Sequence, residues 1–270
     1  MKDYEKIKYP DGQISVKIIN KLFYIEGIKE RINSYEDLIF VKSIVDALRA
    51  MGIVNYISLF IPCLFGQRSD RRFASNQSFD LKVITDIINS CNFYKVSILD
   101  PHSDVSLALI NNSVKISSLE YVEQSYRDIC DGKVSLDDFI LVSPDAGAYK
   151  KVFEYGEKMN LPVVAANKYR DNLGKINLTF VGDVKDKHCL IVDDICDGGY
   201  TFLKLATKLK EQGATRVYLY VTHGYFSKGF KELNTLIDKI YCTNSVSDIG
   251  DFIHFNGELQ KTNLKQFKVI

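Results

Sequence analysis

The stretch that decides the fold is Leu190-Ile191-Val192-Asp193-Asp194-Ile195-Cys196-Asp197-Gly198-Gly199-Tyr200-Thr201. An apolar strand runs into two carboxylates, turns through two glycines and enters a helix at a hydroxyl residue. Glycine lets a backbone turn tightly and bring its N–H groups onto a ligand. A helix N-terminus adds orphan N–H groups and a partial positive charge, which together suit a phosphate. Paired carboxylates would repel that phosphate, so they answer to something else, either neighbouring sugar hydroxyls or a ligand-bound magnesium ion. One loop thus has the means to hold both ends of a ribose phosphate.

Working outward, the same strand–loop–helix grammar repeats. Apolar residues at Leu38, Val41, Val45 and Leu48 define one face of a helix over 36–50, which Gly52 stops. Residues 53–61 read as a strand, 80–92 as a helix and 94–99 as a strand ending in Asp100-Pro101-His102. Strands are again expected over 139–142, 161–166, 188–192 and 216–221, with a helix over 201–212 capped by Gly213. Wholly apolar strands alternating with helices imply parallel sheets covered on both faces. The polar stretch 119–138 is read as the connection between two α/β halves, with room for some helix within it. In open parallel sheets, ligands sit beyond the carboxyl ends of the strands. Arg68, Asp70, His102, Asp145, Lys168, Arg170 and the stretch 193–201 all fall there.

Bulk properties narrow the classes. The 270 residues are enough for two domains, and 46% hydrophobic content excludes a disordered chain. Thirty-five basic against 34 acidic residues give a net charge of +1, so no whole-protein field points to nucleic acid or an anionic membrane. The six cysteines lack CxxC or metal spacing and read as reduced core thiols. The first residues hold no apolar signal core and no stretch reaches membrane-spanning length, so a cytoplasmic location is expected, the host cytoplasm for a phage-encoded chain.

The segment 192–197 resembles the phosphoribosyl-diphosphate motif shared by type I phosphoribosyltransferases and ribose-phosphate diphosphokinases (PRPP synthetases). Tyr9-Pro10-Asp11-Gly12-Gln13, Arg68-Ser69-Asp70-Arg71-Arg72, Asp100-Pro101-His102, Ser143-Pro144-Asp145-Ala146-Gly147, Lys168-Tyr169-Arg170 and Thr222-His223-Gly224 resemble synthetase segments in synthetase order. The resemblance covers nearly the whole chain. It implies an α/β fold of two phosphoribosyltransferase-like domains, each a mainly parallel sheet flanked by helices. Their expected spans are 1–122 and 123–252, with 253–270 as a C-terminal segment.

It also implies an activity, the transfer of the diphosphate of magnesium ATP to the anomeric hydroxyl of a ribose phosphate, releasing AMP. Lys168 and Arg170 match the basic pair of a catalytic lid, and His102 and Asp145 match a Mg2+-binding pair, with His102 also beside ATP. Tyr9, Asp11 and Gln13, facing Arg68 and Asp70, match an ATP site shared between subunits, so at least a homodimer is implied. Asp193 and Asp194 would hold ribose hydroxyls, while Asp197, Gly198, Gly199, Tyr200 and Thr201 would wrap the 5-phosphate. His223 is read as structural.

The chain departs from the family pattern in places. The usual first strand and helix are absent before Tyr9, Ser69 and Gln13 replace a glutamine and an acid, and the basic regulatory stretch after Arg72 is lost. The phosphate loop usually reads Asp-Thr-x-Gly-Thr, so here a hydroxyl donor is missing at Gly198 and Tyr200 stands in place of a glycine. An aromatic there suits a 5-phosphate that carries a further group, and phage-encoded relatives that pyrophosphorylate ADP-ribose for NAD salvage are the natural comparison. The acceptor is therefore ADP-ribose or ribose 5-phosphate, with Tyr200 inclining the reading to ADP-ribose. A phosphoribosyltransferase that consumes PRPP and a non-catalytic synthetase-associated subunit are the competing classes.

Overall fold

The computed structural model describes the backbone of residues 3–20, 27–131, 134–170 and 176–270, with side chains except at 136, 167–170 and 176–181. The chain divides into two compact units, Met1–Ser117 with Ile270, and Ser118–Val269.

The first unit is built on four parallel strands in the order β3 (Ile28–Lys29), β4 (Ser58–Ile61), β5 (Lys95–Leu99) and β6 (Ser113–Ile116). Helix α1 (Tyr35–Ala50) buries the stripe that periodicity predicts, Leu38, Val41, Val45 and Leu48. Each such side chain contributes about 1.5–3 kcal/mol by leaving water. Ser34 caps the helix by accepting from the Asp37 N–H at 3.2 Å. Helices α2 (Asp80–Asn89) and α3 (Asp104–Leu109) complete the unit.

Two features differ from expectation. Residues 53–57 are not strand, because the chain is still turning after α1, with Tyr56 in the left-handed region at φ 63°. A hairpin of β1 (Tyr4–Lys8) and β2 (Ile14–Ile18) precedes the sheet, packing Tyr4, Ile14, Val16 and Ile18 on the core.

The second unit holds seven strands, β15 (Leu264–Phe267), β12 (Lys239–Thr243), β11 (Arg216–Gly224), β10 (His188–Cys196), β7 (Phe139–Ser143), β8 (Val163–Arg170) and β9 (Ile176–Val181), in that order. All pairings are parallel except β8 with β9. Strand alternation divides the core in two. Ile140, Val142, Cys189, Ile191, Val217 and Leu219 face α6 (Tyr200–Glu211) and α7 (Leu233–Leu236). Phe139, Leu141, Leu190, Val192, Tyr220 and Tyr241 pack with residues of α4 (Leu119–Cys130) and α5 (Ala146–Met159).

The stretch read as a connection is α4 for most of its length and lies in this unit, Ser118–Val269. Leu119, Val122, Tyr126 and Ile129 give it an apolar stripe at helical spacing. The C-terminal segment, whose packing the sequence leaves open, joins this sheet. A small hairpin, β13 (Phe252–Phe255) and β14 (Glu258–Lys261), leads into β15, which extends the sheet beside β12. No helix among the described residues is long and apolar enough to cross a membrane.

Candidate active site

Parallel pairing brings the carboxyl ends of β7, β8, β10, β11 and β12 to one edge of the second unit. At its centre β10 runs further than expected, carrying Asp193 and Asp194 inside the strand, with Asp193 opposite Val221 and Ile195 opposite His223. Asp194 is buried, and its N–H donates to Asp193 Oδ1 at 2.9 Å. Burial pushes the Asp193 carboxyl well above the usual carboxylate range, and the adjacent Asp194 charge adds to the shift. Lys151 of α5 acts in the opposite direction. An acid pair of this kind, buried at Asp194 and half-buried at Asp193, is relieved by hydroxyl donors or a cation.

The loop that follows is open. Asp197, Tyr200 and Thr201 are exposed, Gly198 is half-buried and Gly199 is buried. Gly199, at φ 79°, forms the N-cap of α6, where no side chain accepts from the first turn and no acidic residue occupies it. A Cβ at Gly199 would lie 2.8 Å from Leu233 Cδ2, so glycine is required on both counts. The first N–H groups of α6 therefore remain available to an anion. Tyr200 is 65% exposed, and Lys204 Nζ sits 4.4 Å from its ring centroid, covering one face.

The loop after β11 fastens onto this turn. The Tyr225 and Phe226 N–H groups donate to Cys196 O at 2.8 and 3.3 Å, and Ser227 N–H donates to Asp197 O at 3.1 Å. Ser227 Oγ donates to Asp197 Oδ1 as well. His223 is fully buried with Nδ1 2.9 Å from Ser245 Oγ.

Asp145 follows β7 and is exposed. Its Oδ1 accepts from the Gly147 and Ala148 N–H groups at 2.9 and 3.0 Å, so it is the N-cap of α5. Lys168 and Arg170 end β8, their backbones paired with Leu178 and Ile176 of β9. The expected lid is in this part an antiparallel hairpin rather than a loop. The side chains of Lys168 and Arg170, and residues 171–175, lie outside the described residues.

In the first unit, Arg68, Asp70 and His102 sit beyond the carboxyl ends of β4 and β5. Gln67, which sequence reasoning missed, connects the two loops. It is 2% exposed, with Oε1 accepting from the His102 N–H at 2.9 Å and Nε2 reaching Cys63 Sγ at 3.6 Å. Asp70 lies 3.9 Å from Arg71 Nε. Tyr9, Asp11 and Gln13 are exposed at the tip of the β1–β2 hairpin, where Tyr9 N–H donates to Gln13 O and Gln13 N–H to Asp11 Oδ1. His102 and Asp145 belong to different units. No group of three or more His, Cys, Asp or Glu side chains among the described residues is arranged to hold a metal ion.

A family model described as phosphoribosyl synthetase-associated domain matches residues 154–255. A ribose-phosphate pyrophosphokinase of Shewanella oneidensis is 30% identical over 250 residues, covering 88% of this chain and 77% of its own length. A ribose-phosphate pyrophosphokinase of Thermosipho africanus is 29% identical over 254 residues, covering 91% of this chain and 78% of its own. In three dimensions the chain is similar to the phosphoribosylpyrophosphate synthetase of Mycobacterium smegmatis, with a TM-score of 0.76 and 19% identity over 98% of this chain and 86% of that one. That likeness shows the α/β fold.

Proposed function

The chain belongs to the ribose-phosphate pyrophosphokinase family, and from that premise we propose that it transfers the β,γ-diphosphate of Mg-ATP to the anomeric hydroxyl of a 5-phosphoribosyl acceptor, releasing AMP. The observation that carries this is the join at residues 193–201, where two adjacent acids, Asp194 buried and Asp193 half-buried, lead directly into a glycine-turned helix entrance that no side chain caps. Ribose hydroxyls would donate to Asp193 and Asp194, relieving their repulsion, while the 5-phosphate accepts from the backbone between Asp197 and Thr201. That grip would hold the anomeric hydroxyl ready for attack, and positioning supplies much of the acceleration in such a transfer.

Lys168 and Arg170 are the proposed catalytic cations, meeting charge that grows on the transferring phosphoryl oxygens. Mg2+ arriving with ATP would neutralise the triphosphate. The residues offered to it are modest. Asp145 Oδ1 is committed to its cap, which leaves Oδ2 for the ion or its water, and His102 is exposed with its backbone fixed by Gln67. Tyr9, Asp11, Gln13, Arg68 and Asp70 would hold the nucleotide across a homodimer interface.

ADP-ribose is the proposed preferred acceptor and ribose 5-phosphate the second. The support is Tyr200, whose exposed ring, with Lys204 over it, stands at the entrance of α6 where a base of the acceptor would stack.

The test supplies purified protein with Mg-ATP and either acceptor, following AMP and the diphosphorylated sugar. We expect both products, faster with ADP-ribose. Pyrophosphate release with a free base would instead mark a phosphoribosyltransferase. No AMP from either acceptor would leave a non-catalytic synthetase-associated subunit. Tyr200→Gly should shift the kcat/KM ratio toward ribose 5-phosphate by about three- to tenfold, the range of one lost aromatic stack. An unchanged ratio would rule the stack out.

A further inference from the structure

We propose that Lys228 is a phosphate-binding residue for the acceptor, supplying from the neighbouring loop the donor that the phosphate loop lacks at Gly198. The inference rests on the ribose-phosphate reading of residues 193–201 and adds to it a residue outside that motif. A Cβ built on Gly198 would lie 3.3 Å from Lys228 Cγ and 3.9 Å from Ser227 Oγ. The Lys228 stem thus runs past the place where a side chain at 198 would stand.

This placement is built into the fold. The Tyr225, Phe226 and Ser227 N–H groups are bonded to Cys196 and Asp197 carbonyls, and Ser227 Oγ is bonded to the Asp197 carboxylate. Those bonds fix the residues before Lys228 on the rim of the loop, and Ser227 has already spent its hydroxyl on Asp197. Lys228 itself is exposed, and no ion pair or side-chain hydrogen bond holds its ammonium among the described residues. An ammonium on a flexible stem beside an open set of backbone amides suits a phosphate, whether a free monoester or one esterified to a further group.

Gly198 also makes the inference reversible by design. It is not at positive φ, so a side chain there is unstrained, and its nearest neighbour is a yielding lysine stem. A hydroxyl restored at 198 should therefore substitute for the ammonium.

The experiment compares wild type, Lys228→Ala, Lys228→Arg and the double variant Gly198→Thr/Lys228→Ala. Steady-state kinetics would use each acceptor, and calorimetry would follow ribose 5-phosphate binding without ATP. For Lys228→Ala we expect the acceptor KM and the calorimetric Kd to rise about tenfold, the scale of one charged hydrogen bond. The kcat and the KM for ATP should stay within about twofold, since the contact is made before the transition state. Lys228→Arg should stay close to wild type, and Gly198→Thr should recover most of the lost affinity.

An acceptor KM and Kd unmoved by Lys228→Ala would overturn the proposal. So would a rise matched by the KM for ATP, or a loss that Gly198→Thr does not reverse, because either points to loop packing. The diphosphokinase reading fails separately, through absence of AMP from wild type, and the calorimetric arm would still decide Lys228.

Discussion

Asp193 is a carboxyl that the folded chain holds against its preference. Its folded pKa is raised by burial and by Asp194, so its favourable contribution is present below the unfolded carboxylate pKa and is lost as pH rises through the raised value. At neutral pH the ligand-free protein therefore carries a penalty at its own site. Asp193→Asn should raise the melting temperature at pH 7, with the gain shrinking as pH falls toward 4, and should nearly abolish AMP release. Thermal scans across pH 4–8 beside the AMP assay check this; a gain that does not depend on pH would mean the carboxyl is not the source. The proposed cations should behave differently. Charge on the transferring group peaks in the transition state, so Lys168→Ala and Arg170→Ala should each lower kcat by about a hundredfold or more while KM moves only a few-fold. Steady-state kinetics in both substrates decide it, since raised KM at unchanged kcat would assign the pair to ground-state binding.

Among the elements, those that follow their own periodicity could be read from the sequence, and those fixed by a partner could not. The α1 stripe and the apolar centres of β7, β10 and β11 needed only spacing 3.6 or alternation. The continuation of β10 through two aspartates was hidden, because acids are poor strand formers and only the pairing with β11 holds them there. Strand β8 likewise continues through polar residues because β9 pairs with it. The loop over 197–201 was legible as a motif, whereas the Lys228 stem reaches Gly198 from 30 residues away. Asp145 was legible only as an acid at a strand end, and its second role, as the cap of α5, appears in the fold. Asp128 is a further long-range case. On α4 it accepts from Lys239 Nζ at 2.7 Å, from Tyr241 Oη at 2.8 Å and from Lys265, tying that helix to β12 and β15. Burial alone would raise its pKa, but these three donors outweigh it and lower the value to about 2. Its stabilisation is therefore present above the unfolded carboxylate pKa and lost as pH falls through about 2. Asp128→Asn should cost on the order of 1 kcal/mol at neutral pH, allowing for solvent screening of the lysines. The difference from wild type should close between pH 4 and 2 in denaturant titrations, and a constant difference would mean packing, not charge.

At the scale of the whole molecule the open question is whether one chain makes a complete site. Tyr9, Asp11 and Gln13 are exposed at a hairpin tip and Arg68 is exposed in the loop after β4, so both halves of the proposed nucleotide site face solvent in the single chain. Exposed aromatic and charged groups at a tip gain their binding energy when a second surface closes over the ligand. A site shared in this way makes a sharp kinetic prediction. Tyr9→Ala and Arg68→Ala should each be nearly inactive alone. In an equal mixture that exchanges subunits, half the dimers are mixed. Each mixed dimer pairs the intact Arg68 of one subunit with the intact Tyr9 of the other at one of its two sites. About a quarter of wild-type activity should therefore return. If Tyr9 and Arg68 served the same site within one chain, every site in the mixture would carry one defect and nothing would return. Activity measured against mixing time, with the oligomeric state followed by sedimentation, separates the two, and a fully active monomer would end the shared-site reading outright.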